Sequence, residues 1–156
     1  SQFFTRFEEN LNYSSPERLM KIWPHRFKTK EEALPFLHNA KALGNKVYGN
    51  RADLGNTQEN DGYMFRGRGF IQMTGRGIYT RYANSKDLSL LDTLFRLENS
   101  EGQNVDAACW VFIKEKKLRP FAEVNDFDTI VKRINGAFTN MEERQKLYEL
   151  TKQIIN

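Results

Sequence analysis

Two adjacent carboxylates, Glu8 and Glu9, sit in Phe7-Glu8-Glu9-Asn10-Leu11-Asn12-Tyr13, among aromatic rings and amides. Carboxyl groups in such company can do acid–base work on an acetal bond. One protonates the leaving oxygen while the other activates water or attacks. Neighbouring side chains on a helix or strand diverge, so these two are not expected to form that pair between them. One is expected to act and the other to be solvated.

A second constellation is Phe65-Arg66-Gly67-Arg68-Gly69-Phe70-Ile71-Gln72-Met73-Thr74-Gly75. Glycine lets a ligand approach the backbone, and Arg, Gln and Thr offer partners for sugar hydroxyls and acetamido groups. The same mixture suits a groove for phosphates and stacked bases, or a tight hairpin with solvated arginines. Composition leaves all three open. A third motif, Ile134-Asn135-Gly136-Ala137, closes a predicted helix. There Asn135 either caps the helix or presents its amide to a water or a sugar.

Other chemistries find few residues. The single cysteine, Cys109, lies in Ala107-Ala108-Cys109-Trp110-Val111-Phe112 and reads as a packed, inert thiol with no disulfide partner. His25 and His38 are distant in sequence, so neither a cysteine nucleophile nor a zinc site is expected, and no cofactor is implied.

The elements that must position these groups are mainly helices. Ser14-Ser15-Pro16-Glu17 and Thr29-Lys30-Glu31-Glu32 read as capping boxes. The first leads into a helix carrying Leu19, Ile22 and Trp23, which Pro24 ends; the second leads into one that Pro35 shortens or bends. Val105, Ala108, Cys109 and Phe112 recur at helical spacing, as do Phe127, Ile130, Val131 and Ile134 up to Gly136, and both stripes are expected to face the core. A last helix from Asn140 is expected to turn Leu147, Leu150 and Ile154 inward. Between Gly44 and Gly77 lie eight glycines (44, 49, 55, 62, 67, 69, 75 and 77), and this stretch reads as loop-like. Tyr63 and Phe65 are expected to pair with Phe70, Ile71 and Met73 in a small β-hairpin around residues 66–69.

At 156 residues and 18.3 kDa, with 39% apolar and 28% charged residues, the chain is expected to form a single domain, 1–156. No apolar run approaches the roughly 18 to 20 residues that cross a bilayer, and no signal-like segment opens the chain. A net charge of +4 and a pI near 9.2 favour approach to polyanions, either nucleic acid or an anionic bacterial envelope. The opening Ser1-Gln2-Phe3-Phe4 carries no initiator methionine and reads as a processed or cut beginning, with Phe3, Phe4 and Phe7 as core residues.

Taken together, the segments resemble glycoside hydrolase family 19, its phage endolysins and chitinases. The resemblance is carried by residues 4–14, by Ile22-Trp23-Pro24-His25-Arg26-Phe27, by 45–51, by 61–76 and by Ile134-Asn135-Gly136 with Arg144. Five ordered blocks run essentially end to end. The resemblance implies a mainly α, lysozyme-like fold with a small hairpin lining the cleft. It also implies inverting hydrolysis, with acid and base carboxyls roughly 6.5 to 9.5 Å apart. Glu9 matches the general base, Thr74 the hydroxyl that positions the water, and Asn135 the amide that assists it. Tyr13, Arg68, Gln72 and Tyr79 match the sugar-binding groove, and Arg144 a residue supporting the active site.

Ile78 stands where the family often has Asn, and Ala137 where a second glycine often follows Ile-Asn-Gly. The family's general acid belongs to a His-Glu-Ser or His-Glu-Thr motif, and Ser1 aligns with the residue just after that glutamate. The expectation is therefore a domain incomplete at its N-terminus. Its acid-bearing piece would be lost or supplied as a separate fragment, rather than replaced by Glu8 or absent from an inactive binding module. The expected substrate is bacterial cell-wall glycan, with chitin as the alternative. Nucleic acid and a membrane span are not expected. The expected setting is synthesis in a bacterial host's cytoplasm and action on the wall in the periplasm.

Overall fold

The computed structural model describes residues 7–138 and 140–155. They are mainly helical, as the periodicities require. The helices are α1 (Pro16–Ile22), α2 (Lys30–Ala33), α3 (Ala40–Tyr48), α4 (Asp61–Met64) and α5 (Arg76–Ser85). They continue with α6 (Leu90–Asn99), α7 (Glu101–Trp110), α8 (Arg119–Glu123), α9 (Phe127–Asn135) and α10 (Met141–Ile155). The chain divides into two compact units, one ending at Ala108 and the other beginning at Cys109. Phe3 and Phe4 lie outside the described residues.

Local chemistry sets the first helices. Ser15 Oγ accepts from the Arg18 N–H at 3.3 Å, Pro16 fills the first turn, and α1 stops two residues before Pro24. Thr29 Oγ1 accepts from the Glu32 N–H at 3.3 Å, and the Glu32 carboxylate reaches back to the Lys28 N–H at 2.6 Å. Such caps each stabilise by about 1 kcal/mol. α2 lasts four residues before Pro35 turns the chain into a tighter 3₁₀ turn, Leu34–Phe36.

The core beneath the site is built from Leu11, Leu19, Phe27, Ala33, Leu43 and Val47, with Tyr13, Trp23, Tyr48 and Tyr63 at its margin. The glycine-rich middle is less loop-like than its composition suggests, since it holds most of α3, all of α4 and the start of α5. The glycines there serve close approach. A Cβ on Gly62 would lie 2.5 Å from the Gly44 carbonyl oxygen and 2.7 Å from the Gly49 nitrogen, so only glycine lets α4 lie against α3.

The expected β-hairpin is not formed. Among the described residues there are only isolated bridges, Glu8 to Arg68, Arg51 to Asn56 and Arg68 to Met73. Tyr63 is in α4, and the turn falls at residues 69–72 rather than 66–69. Gly69 and Gln72 take positive φ values of 75° and 54°, which closes the turn in one residue pair. The arginines that would flank a hairpin are drawn inward into ion pairs.

Three burial expectations are also corrected. On α7 the buried positions are Asn104 and Ala107, followed by Val111, while Val105 is 52% exposed. The inward stripe is displaced by one residue because it includes a polar member. Asn104 Nδ2 donates to the carbonyls of Leu97 (3.1 Å) and Ser100 (2.9 Å), so an amide occupies a position that a hydropathy pattern assigns to solvent. Cys109 is exposed rather than packed. Leu147, Leu150 and Ile154 of α10 are exposed as well. α9 follows expectation: Asp126 caps it through the Thr129 N–H at 3.1 Å, Val131 is buried, and Gly136 closes it at φ 78°.

Candidate active site

Three short segments lie side by side and build the site. The Glu9 N–H donates to the Gly67 carbonyl (2.8 Å) and the Gly69 N–H to the Phe7 carbonyl (2.6 Å). Arg68 and Met73 exchange both backbone bonds, at 3.1 and 2.8 Å. Side chains alternate across such pairing, so Glu9 and Gly67 face one way while Glu8 and Arg68 face the other.

On the Glu9 face, Tyr48 at the end of α3 donates its hydroxyl to Glu9 Oε1 at 2.8 Å. The Gly67 N–H donates to Oε2 over a longer 3.4 Å. Burial pushes the Glu9 carboxyl above its ordinary value, against the opposing effects of the Tyr48 hydroxyl, the Gly67 N–H and the Arg66 charge. Among the described residues no cation pairs with Glu9 directly. Gly67 is buried beneath Gln72 and Thr74: a Cβ there would lie 2.6 Å from Gln72 Oε1 and 3.4 Å from Thr74 Oγ1, so glycine lets those side chains close over this backbone. Glu9, Gln72 and Thr74 thus converge on one glycine. Thr74 Oγ1 is held by the Gln72 carbonyl at 3.0 Å, and Gln72 Nε2 by the Gly69 carbonyl at 3.0 Å.

On the opposite face, Arg66 is ion-paired with Glu8 and lies 3.9 Å from Glu98. Arg68 Nε donates to Glu98 at 2.8 Å, and its Nη1 to the Met64 carbonyl at 2.6 Å. Both arginines are buried. Their charges are compensated inside the fold, which removes the arginine pair as a phosphate-binding surface and as a solvated hairpin. Glu8, expected to be solvated, is instead the counter-ion of Arg66. A depression of about 470 Å³ lies on this side, bounded by Lys41, Tyr63, Arg66, Arg68 and Glu98.

The residues expected to bind sugar therefore separate. Tyr13 is half-buried, packs edge-on against Trp23 at 5.6 Å and feels the Glu9 charge, and Gln72 is exposed at the turn. Tyr79 is fully buried and donates its hydroxyl to the Arg66 carbonyl at 2.9 Å. Burial pushes that hydroxyl up to about 12. In this geometry Tyr79 and Arg68 hold the wall of the site. Asn135 and Arg144 belong to the second unit. The Asn135 amide donates to the Val131 carbonyl at 3.1 Å, and the Arg144 N–H to the Asn140 carbonyl at 3.1 Å.

Tyr48 and Glu98 escaped sequence reasoning because neither lies near Glu9 or Arg66 along the chain. So did the device that fixes the end of α3 to the start of α5. Asn56, fully buried, donates to the Tyr48 carbonyl (2.8 Å) and accepts from the Arg76 N–H (2.8 Å). The Arg76 guanidinium in turn grips Asp61 at 2.5 and 2.9 Å. Burial opposes the charge of Asp61, but Arg76 and the Gln58 N–H outweigh it and hold the carboxyl below its ordinary value. Among the described residues no cluster of His, Cys, Asp and Glu could hold a metal ion, and no helix is long and apolar enough to cross a membrane.

The chain is 32% identical over 150 residues to a "Glycosyl hydrolase family 19 domain-containing protein" of Haemophilus influenzae (strain ATCC 51907 / DSM 11121 / KW20 / Rd). That match covers 93% of this chain and 69% of its relative. No family-wide sequence profile matches the chain. At this identity and coverage the chain belongs to glycoside hydrolase family 19, and its class is that of a glycosidase.

Proposed function

We propose that the chain carries the groove of an endolysin-type peptidoglycan hydrolase with a lysozyme-like fold. It would cut β-1,4 bonds between N-acetylated amino sugars with inversion at the anomeric carbon. Glu9 is the general base. The observation that carries this reading is its half-buried carboxylate, raised by burial, unpaired with any described cation, and converging with Thr74 at Gly67.

In this mechanism the bond lies across the Gln72 and Thr74 side chains that cover Gly67. Glu9 Oε2 accepts a proton from water while Thr74 Oγ1 orients that water toward the anomeric carbon. Gln72 and Tyr13 touch the sugar units. A second carboxyl, the general acid, protonates the leaving oxygen from the opposite face of the ring, roughly 6.5 to 9.5 Å away. The net charge of +4 favours an anionic wall, and action in the periplasm, over neutral chitin.

Purified peptidoglycan and chitin oligomers test the reading. In an assembly that holds both carboxyls, we expect new reducing ends from peptidoglycan, appearing first as the inverted anomer by NMR; with Glu9 alone we expect weak release or none. Release from chitin alone would make the chain a chitinase, and retention on wall material without reducing ends would make it a glycan-binding module.

A further inference from the structure

Glu9 has a partner that the sequence did not connect to it. We propose that Tyr48 is a positioning residue for Glu9. Its hydroxyl holds Oε1 so that Oε2 remains turned toward Gly67 and the water. The inference rests on the reading of Glu9 as the general base.

The geometry is specific. Tyr48 is the last residue of α3, and its hydroxyl donates to Glu9 Oε1 at 2.8 Å. Its ring packs at the margin of the core, and its carbonyl is fixed by the buried Asn56. The phenol therefore reaches the carboxylate from a rigid helix end. Burial and the nearby Glu9 charge push the Tyr48 hydroxyl well above its ordinary value, so it stays protonated and can only donate here. Among the described residues Oε2 has a single, longer partner in the Gly67 N–H at 3.4 Å. A carboxylate accepts about two bonds per oxygen. Oε2 thus keeps capacity for water, whereas Oε1 is occupied.

The charged and titratable groups around the pair set the direction of the effect. Arg66 acts on Glu9 and Arg51 on Tyr48, both favouring the ionised form of the group they act on. Tyr13, edge-on to Trp23, feels Glu9, and Glu8 is engaged with Arg66 on the other face. Among the described residues only Tyr48 contributes a side-chain hydrogen bond to Glu9. Loss of that bond leaves burial less opposed, so Glu9 should hold its proton to higher pH.

The test follows the Glu9 side-chain carboxyl by site-resolved ¹³C NMR titration of the whole chain, which reads Tyr48 whether or not the preparation is active. Tyr48→Phe should move the Glu9 midpoint up by about one pH unit, the scale of a charge-assisted hydrogen bond. 3-Fluorotyrosine at position 48, nearly isosteric and a stronger donor, should move it down, and it decides the matter if Tyr48→Phe does not fold. In reducing-end release, the acid limb of kcat should follow these shifts while KM stays near its original value. A Glu9 midpoint unmoved by the fluorinated residue would overturn the proposal. Midpoints that shift while Glu9→Gln keeps full activity would uphold the Tyr48 contact and remove Glu9 as the base.

Discussion

Glu8 and Glu9 are neighbours in the chain and opposites in their surroundings. Glu8 faces Arg66, which also approaches Glu98, and Glu98 in turn holds Arg68. Glu9 faces a phenol and the Gly67 N–H, beside Gln72 and Thr74. One carboxylate is neutralised by full charges, and the other is held by neutral donors after losing much of its hydration. A compensated carboxylate holds segments together. A desolvated, uncompensated one is raised toward the range where it can accept a proton from water. The alternation of a two-residue backbone pairing produces both environments, with no change in residue type.

The largest effect should come from reversing these roles by single substitutions. Glu9→Gln keeps the shape and removes the base, and is expected to lower kcat on peptidoglycan by about 10²- to 10⁴-fold with little change in KM. Glu8→Gln should lower it less than about tenfold, through loosening of the segment alone. Initial rates of reducing-end release on both variants make the comparison. A collapse with Glu8→Gln equal to that with Glu9→Gln would end the division of labour.

A smaller effect should appear in stability. Arg66 is 8% exposed, stacks on the Tyr63 ring at 4.2 Å, and joins Glu8 and Glu98. Arg66→Met keeps most of the packing and leaves two carboxylates without their shared cation. Breaking a fully buried pair costs about 3 to 5 kcal/mol. Both glutamates are partly exposed, so solvent screening reduces the expectation to about 2 kcal/mol. Urea unfolding measures it, and an unchanged midpoint would mean that the cluster contributes nothing net.

The contrast was half legible in the sequence. Diverging side chains at positions 8 and 9 follow from any extended or helical backbone, and the family motif singled out Glu9 and Thr74. The inward turn of Arg66 and Arg68 was not legible, because their counter-ion Glu98 lies about thirty residues away and reaches them only through the packing of α6. Tyr48 was hidden for the same reason. The helices α1, α2 and α9 were readable because their caps are local chemistry. α7 was misread by one position because Asn104 satisfies its amide inside the fold, and hydropathy has no term for a satisfied polar group. The glycines between 44 and 77 were taken for turns, whereas Gly44 and Gly62 mark a helix crossing.

The smallest expected effect separates function from stability at Glu9 itself. Burial raises its folded-state pKa above the unfolded one, so folding favours the protonated form. Below the ordinary glutamate range the group is neutral in both states and makes no difference. As pH rises through the folded-state value, the desolvated charge develops and works against folding. Glu9→Gln, neutral throughout, should therefore match the original chain at about pH 4 and melt about 2 °C higher at pH 7. A matched pair of melting curves at the two pH values decides it. Equal gains at both would trace the stabilisation to packing, and a loss at pH 7 would show that Tyr48, Gly67 and Arg66 already compensate the charge, leaving Glu9 as secure a structural partner as Glu8.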